Sequence, residues 1–264
     1  MSMMESTGRQ PPRLNQSARI AGILTLLDGQ PFWSVGDLAR RFDVSEETIR
    51  RDVRQLELGG HVQKTHGGVS LPNHMLEGPF RQRVRIEAAL KQRIARRAAE
   101  FIQPGMTILL DSGTSAFWLA RALQGLRDLT IITNSVEIAQ EVTGRSGQRL
   151  FMAGGEISPH YGASFGPEAI SYCRRFVPDI TVFSIGSIDE THGYLDFDAG
   201  EATFKRALIE NARRLMILAD STKFARGGRL QVAQHHEVHD LVTDSAPPAG
   251  IAQAAGAGTQ VHIA

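Results

Sequence analysis

The second part of the chain repeats one pattern, and that pattern constrains the fold more than any other feature. Beyond Gly105, short apolar runs each end in a small polar loop, and segments with the apolar spacing of amphipathic helices lie between several of them. The runs cover residues 107–110, 129–132, 150–152, 180–183, 215–218 and 241–242. Alternating strands and helices of this kind predict an α/β fold with a mostly parallel sheet.

The polar loops predict a ligand site, because ligands of open parallel sheets bind beyond the carboxyl ends of the strands. The loop from Asp111 to Ser115 leads into a predicted helix, so its amides and hydroxyls suit an anion, and Lys223 would add positive charge for a phosphate. Each loop alone is better interpreted as an ordinary turn, but together at one sheet edge the loops favour a polar ligand. Glu201 and Lys205, four residues apart, would either join this site or pair on a helix surface. The candidate ligand-binding residues are Asp111, Ser112, Gly113, Thr114, Ser115, Asn134, Ser135, Gly154, Gly155, Glu201, Lys205, Asp220 and Lys223.

The first part of the chain has the order of elements of a winged helix-turn-helix. Two helical stripes, the second over residues 35–42, precede a third helix that Ser45 would cap and that would run to about Leu58. Residues 61–71 then show alternating apolar residues and a glycine pair, which predict a short β-hairpin. Helix, short helix, tight turn, helix and hairpin within some sixty residues are typical of a DNA-binding unit.

The third helix has one apolar and one charged face. Projection at about 100° per residue places Glu47, Arg51 and Arg54 opposite the apolar residues, which would pack against the first two helices. The guanidinium group of arginine forms paired hydrogen bonds with guanine or phosphate, so this face suits a major groove. The alternative is a charged face that is merely solvated. The candidate DNA-binding residues are Ser45, Glu47, Thr48, Arg50, Arg51, Arg54, Lys64 and His66.

The changes of pattern predict the domain boundaries. We expect a disordered tail at residues 1–12, a winged helix-turn-helix domain at 13–72, a linker with the start of a basic connecting helix at 73–90, and an effector-binding α/β domain at 91–264. The basic helix would run from Arg81 to Arg97 and join the two domains.

Composition is that of an ordinary globular protein. Lys and Arg number 29 against 28 Asp and Glu, which excludes a uniformly basic coat but not a local basic patch. A single cysteine, Cys173, allows no intramolecular disulfide and no Cys-based zinc site. The first twelve residues lack the apolar core of a signal peptide, and no apolar run approaches the length of a membrane span, so we expect a cytoplasmic protein.

Particular motifs identify a family. Val35-Gly-Asp-Leu-Ala-Arg-Arg-Phe42, Val44-Ser45, Thr48-Ile-Arg-Arg-Asp52 and His66-Gly-Gly68 resemble the DeoR family of bacterial regulators, which bind operators through an N-terminal winged helix-turn-helix. The resemblance implies that Thr48, Arg50 and Arg51 contact double-stranded operator DNA.

The second part of the chain is similar to the sensor of the same family, whose fold is like that of ribose-5-phosphate isomerase and CoA-transferase-like proteins. Lys91-Gln-Arg-Ile94, Asp111-Ser-Gly-Thr114, Thr133-Asn-Ser135 and Asp220-Ser-Thr-Lys-Phe224 carry the similarity. It implies a phosphorylated sugar or polyol as effector. The segments 195–198, 205–211 and 243–248 resemble the glycerol-3-phosphate repressor branch. Glycerol 3-phosphate is therefore the leading candidate, while the loop 184–187 departs from the pattern and leaves other phosphorylated compounds open.

Two other functions remain possible from the sequence. A sugar-phosphate isomerase with a DNA-binding arm would use Asp111, Glu201 and Lys223 as acid and base groups, and a scaffold would use the winged helix for protein contacts. We expect neither, and we expect no cofactor, no metal and no catalytic residue. Reading a two-part operator requires at least two winged helices, so we expect a homo-oligomer, a dimer or tetramer. By analogy with relatives, the effector would release a repressor from DNA.

Overall fold

The computed structural model describes residues 15–29, 32–59, 61–65, 68–70, 78–224, 227–256 and 258–264. The predicted tail, His66 and the first residues of the predicted linker lie outside the described residues. Contacts divide the chain between residues 76 and 77 into two compact units, each described separately below. Among the described residues, no helix is both long and apolar enough to cross a bilayer.

The smaller unit has three helices and a three-stranded antiparallel sheet, as expected for a winged helix-turn-helix. Its elements are α1 (Gln16–Gly29), β1 (Phe32–Ser34), α2 (Val35–Phe42), α3 (Glu46–Leu58), β2 (Gln63–Thr65) and β3 (Gly68–Ser70), and the strand order is β1-β3-β2. The sequence did not predict β1, because three residues are too few to show an alternating pattern. Its Trp33 donates a hydrogen bond from Nε1 to the Leu26 carbonyl oxygen at 3.2 Å, which ties β1 to α1.

Local capping and a buried core set the position of α3. Asp43, in the left-handed region at φ 51°, ends α2, and Ser45 Oγ accepts a hydrogen bond from Thr48 N at 3.3 Å, as predicted for the N-cap. The predicted apolar face of α3 is buried in the core of the unit. An ion pair between Arg19 Nε and Asp52 Oδ2, 2.6 Å apart, joins α1 to α3 beneath the surface.

The larger unit is built on a parallel sheet of seven strands, so the predicted sheet is confirmed. Its elements are α4 (Phe80–Arg83), α5 (Ala88–Ala99), β4 (Thr107–Leu110), α6 (Thr114–Ala122), β5 (Leu129–Thr133), α7 (Val136–Val142), β6 (Gln148–Met152), β7 (Ile157–Ser158), β8 (Ala163–Ser164), α8 (Pro167–Cys173), β9 (Ile180–Ser184), β10 (Ser187–Asp189), β11 (Gly193–Asp196), α9 (Ala199–Ile209), β12 (Leu215–Leu218), β13 (Leu230–Ala233), β14 (Asp240–Thr243), α10 (Ala249–Ala255) and β15 (Gln260–Ile263). The strand order is β15-β14-β12-β9-β4-β5-β6, with every pair parallel.

Two apolar cores cover the two faces of this sheet. On one face, Ile94 of α5 and Leu119 of α6 pack with residues of the sheet. On the other, Phe204 of α9 packs with Phe183 of β9. The smaller antiparallel sheet β10-β11-β13 was not predicted. Because parallel strands share a direction, their following loops, including the candidate effector loops, lie at one edge.

One continuous basic helix from Arg81 to Arg97 was a wrong expectation. The chain instead forms α4 and α5, separated by the turn at residues 84–87, and Glu87 at the end of that turn is in the left-handed region at φ 51°. The break has an evident reason, because the buried Lys91 donates from Nζ to two carbonyl oxygens of the preceding segment, Arg83 at 2.9 Å and Ile86 at 2.8 Å.

Candidate functional site

The charged face of α3 is presented to solvent. Arg51 is 76% exposed and Arg50 is 54% exposed, while Asp52 between α1 and α3 is buried. Arg54 is also exposed, and Thr48 is half-buried. The structure therefore places the arginines of the predicted DNA-binding face on one accessible surface of a firmly held helix.

Acidic residues partner this surface in the unbound protein. Arg50 Nη2 lies 2.7 Å from Glu46 Oε2, and Arg51 Nε lies 3.7 Å from Glu47 Oε1. Because all four side chains are largely exposed, these pairs are weak and a nucleic acid can replace them.

The strand after α3 adds a further cation. Lys64 of β2 forms an ion pair of 2.6 Å with Glu57 at the end of α3. A hydrogen bond from Lys64 lowers the pKa of the Glu57 carboxyl group. A groove of about 440 Å³ runs between α2, α3 and the strands, lined in part by Arg50, Arg54 and Lys64. These basic side chains give the groove the charge that suits phosphate groups.

In the larger unit, a pocket of about 320 Å³ opens at the carboxyl ends of β4 and β12. We call it the strand-end pocket, and its lining consists of Arg83, Ile86, Glu87, Lys91, Thr114, Asp220, Thr222 and Lys223. Its volume lies at the lower end of the range for small-molecule sites. Three basic and two acidic side chains meet there, an arrangement that suits an anion bearing hydroxyl groups.

The walls of this pocket are held by hydrogen bonds within the protein. Asp220 accepts a hydrogen bond from Thr222 N at 3.2 Å and so caps the turn that carries Lys223. The guanidinium group of Arg83 lies over the ring of Tyr161, 5.2 Å from its centroid. The guanidinium group of Arg83 and the turn that carries Lys223 therefore have protein contacts before any ligand arrives, which reduces the entropic cost of binding.

Of the thirteen predicted effector residues, Thr114, Asp220 and Lys223 line the strand-end pocket. Sequence reasoning missed Arg83 and Lys91 as members of the site. Both belong to the basic stretch that was read as a connecting helix. A turn between them, rather than helical spacing, brings them together.

Asp111, Glu201 and Lys205 form a buried cluster instead of a surface pair. Lys205 Nζ lies 2.7 Å from Glu201 Oε1, 2.8 Å from Asp196 Oδ2 and 3.1 Å from Asp111 Oδ2, and it donates to the Ser184 carbonyl oxygen at 2.8 Å. The interpretation of Glu201 and Lys205 as a helix-surface pair was wrong, since both are at most 2% exposed. Burial would lower the pKa of Lys205, but the three carboxylates outweigh it and hold that pKa well above its ordinary value.

This cluster fixes the loop at the end of β4. Asp111 accepts hydrogen bonds from Gly113 N at 3.1 Å and from Ser184 N at 3.0 Å. Ser184 Oγ in turn accepts from Ala116 N in the first turn of α6 at 3.0 Å. A Cβ on Gly113 would lie 2.1 Å from Ser184 Cβ, so only glycine fits there. Asp111 thus positions Thr114 of the pocket, while Ser112 and Ser115 are buried beside it.

The remaining predicted residues occupy the ends of β5 and β6. Asn134 Nδ2 donates to the Ser164 carbonyl oxygen at 2.8 Å, and Ser135 Oγ caps α7 by accepting from Ile138 N. Gly154 and Gly155 lie in an exposed turn after β6. None of these four residues is part of the strand-end pocket lining. Their roles in effector binding stay a prediction.

Two family descriptions match the chain. The DeoR-like helix-turn-helix domain matches residues 19–74, and the DeoR C terminal sensor domain matches residues 86–245. The chain belongs to the DeoR family. It is accordingly a DNA-binding transcriptional regulator, with the reader in the smaller unit and the sensor in the larger one.

Relatives of this chain include both repressors and an activator of transcription. The glycerol-3-phosphate regulon repressor of Escherichia coli (strain K12) is 33% identical over 240 residues, which are 91% of this chain and 95% of that protein. The HTH-type transcriptional repressor CsqR of the same strain is 32% identical over 95% of this chain and 93% of its own. The L-fucose operon activator, also from that strain, is 31% identical over 87% and 95%.

Solved structures show a more distant similarity. Ribose 5-phosphate isomerase from Plasmodium falciparum superimposes with a TM-score of 0.39 and 19% identity, over 53% of this chain and 54% of its own.

Proposed function

We propose that this regulator represses genes of carbohydrate or polyol metabolism and that a phosphorylated sugar or polyol, bound in the strand-end pocket, releases it from its operator. The observation that carries the proposal is the meeting of Arg83, Lys91 and Lys223 around one small pocket. Glycerol 3-phosphate is the first candidate, because a relative that covers nearly the whole chain is named for its regulon.

The pocket suits both ends of such a molecule. Arg83 and Lys223 would bind the phosphate, since a guanidinium and an ammonium group both form charge-assisted hydrogen bonds with its oxygens. The carboxylates of Glu87 and Asp220 and the hydroxyl of Thr222 would bind the hydroxyl groups of the polyol. Thr114 lies in the first turn of α6, where the helix dipole also favours an anion.

DNA contacts would come from the smaller unit. We assign the reading of bases to Arg51 and Arg54 and contacts with phosphates to Arg50 and Lys64, with Ser45, Glu47, Thr48 and His66 as further contacts. Two such units are needed for a two-part operator, so we propose a dimer or a tetramer. We propose repression because a relative that covers nearly the whole chain is a repressor, although another relative is an activator.

We further propose that the protein is not an enzyme. Acid or base catalysis requires a group that can gain or lose a proton near neutral pH. Asp111 and Glu201, two of the three groups that an isomerase would use, are buried against the ammonium group of Lys205 and are not part of the strand-end pocket lining. The pKa of Lys205 is raised, so this ammonium group stays charged. The expected result of incubation with sugar phosphates is binding without turnover.

A pair of matched variants tests the pocket. Lys223→Gln should retain DNA binding but require at least about tenfold more effector for release, because a charge-assisted hydrogen bond to phosphate contributes about 1.5–3 kcal/mol. Arg149→Gln is the control, since this exposed arginine of β6 is not part of the pocket lining. An effector response in Lys223→Gln equal to that of Arg149→Gln would remove Lys223 from the site.

A further inference from the structure

Two carboxylates begin α3, and their surroundings differ. Glu46 faces the groove beside α2, where a Cβ on Gly36 would lie 3.5 Å from Glu46 Oε1. Glu47 is 64% exposed, and its two carboxylate oxygens lie 3.7 Å from Arg51 Nε and 3.9 Å from Arg50 Nη1. Among the described residues, Glu46 pairs with Arg50 alone, at 2.7 Å, whereas Glu47 lies between Arg50 and Arg51. Glu47 is therefore the carboxylate that both arginines share.

A carboxylate at this place has a cost when DNA binds. The helix dipole favours a negative charge in the first turn, and this explains Glu46 and Glu47 equally well. Near a polyanionic duplex, however, each negative charge weakens binding to every sequence. A carboxylate recovers that loss in the major groove when it accepts a hydrogen bond from a base, and cytosine presents its N4 amine there. Such a contact depends on sequence, whereas the repulsion does not.

We propose that Glu47 is a specificity-determining residue that accepts a hydrogen bond from the N4 amine of a cytosine in the operator. On other sequences it repels the phosphates and stays beside Arg51, which weakens non-specific binding. Glu47 and Arg51 are one helical turn apart, about 5–6 Å between their Cβ atoms. The cytosine should therefore lie within about two base pairs of the guanine that Arg51 contacts. This inference rests on the proposed DNA-reading role of α3.

Selection from a pool of random-sequence duplexes tests the inference without a known operator. Wild type, Glu47→Met and Glu46→Met are each used to enrich binding sites, and binding to one unrelated duplex is measured across a salt series. Methionine has a similar length but no carboxylate or amide oxygen to accept a hydrogen bond from cytosine. Wild type should enrich a site with a fixed cytosine. Glu47→Met should lose at least about fivefold of the preference for that cytosine and bind the unrelated duplex more tightly.

Glu46→Met is the matched control, because it removes the same charge from the same helical turn. It should also bind the unrelated duplex more tightly but keep the cytosine. The slope of log Kd against log salt should be unchanged in both variants, since no phosphate contact is lost. Enrichment of the wild-type cytosine by Glu47→Met overturns the inference. Failure of wild type to enrich any site overturns the DNA-reading role of α3 as well.

Discussion

Replacing Lys205 by methionine should strongly destabilise the larger unit. The ammonium group is 1% exposed and lies within 3.1 Å of three carboxylate oxygens, on Asp111, Asp196 and Glu201. Methionine has a similar length but no charge, so it would leave three buried carboxylates without their cation. Removal of one partner from a buried ion pair costs about 3–5 kcal/mol, and we expect a loss of at least about 3 kcal/mol in the free energy of unfolding.

The loss should depend on pH in the variant. Without the cation, burial raises the pKa of the carboxyl groups in the folded state above their values in the unfolded chain. The folded state then binds more protons than the unfolded state, so lowering the pH from 7 to 5 should recover part of the lost stability. In wild type, Lys205 already compensates these charges, so lowering the pH from 7 to 5 should bring no such gain in stability.

Urea unfolding followed by tryptophan fluorescence measures both effects. Each unit contains one tryptophan, Trp33 in the smaller and Trp118 in the larger, so a Trp33→Phe background restricts the signal to the larger unit. Asp196→Asn is the control, because it removes one negative charge and leaves the ammonium two carboxylates. Asp196→Asn should lose less free energy of unfolding than Lys205→Met. A loss below about 1 kcal/mol in Lys205→Met, or no recovery at pH 5, would show that the folded state does not depend on the ammonium group to compensate the three carboxylates.

Two further ion pairs give separate predictions. In the smaller unit, Asp52→Ala leaves the buried Arg19 without its carboxylate and should lower the free energy of unfolding by about 3–5 kcal/mol. Urea unfolding with Trp33 as the probe, in a Trp118→Phe background, measures this loss. An unchanged urea midpoint would contradict the prediction. In the larger unit, burial would raise the pKa of Asp240, but hydrogen bonds from Arg214 and His262 lower it below its ordinary value. The lowered pKa stabilises the folded state above about pH 3.9 and the contribution is lost as the pH falls through the folded pKa. An Asp240→Asn variant should thus lose less stability than wild type on acidification from pH 5 to 3, as followed by thermal unfolding.

The parallel sheet and the reader helix followed from local patterns. The strands at 107–110 and 215–218 have the predicted bounds, and Ser45 caps α3 as expected. Such features depend on periodicity and on residues within a few positions of one another. The strands of the small antiparallel sheet escaped prediction, because β10, β11 and β13 have only three or four residues each and β13 pairs with β11 across α9 and β12.

The candidate effector site was predicted in part for a related reason. The loop at 111–115 and Lys223 follow strands of a parallel sheet, so their meeting at one edge could be anticipated. The burial of Lys205 could not be anticipated, because it depends on Asp111 after β4 and on Asp196 in β11, which are far apart in the sequence. Helical spacing alone favours a surface pair with a residue four positions away. The position of Lys91 in the strand-end pocket could not be anticipated either, because Lys91 is one of many basic residues in that stretch of sequence.

We propose that a phosphorylated compound bound in the larger unit controls DNA binding by the smaller one. Fluorescence anisotropy on DNA from the gene's own upstream region, with random DNA as a control, measures this regulation. We expect specific binding by wild type, loss of that binding in a folded Arg51→Ala variant, and release by glycerol 3-phosphate or another phosphorylated sugar or polyol. Specific binding that no such compound alters would show that the strand-end pocket does not control the reader.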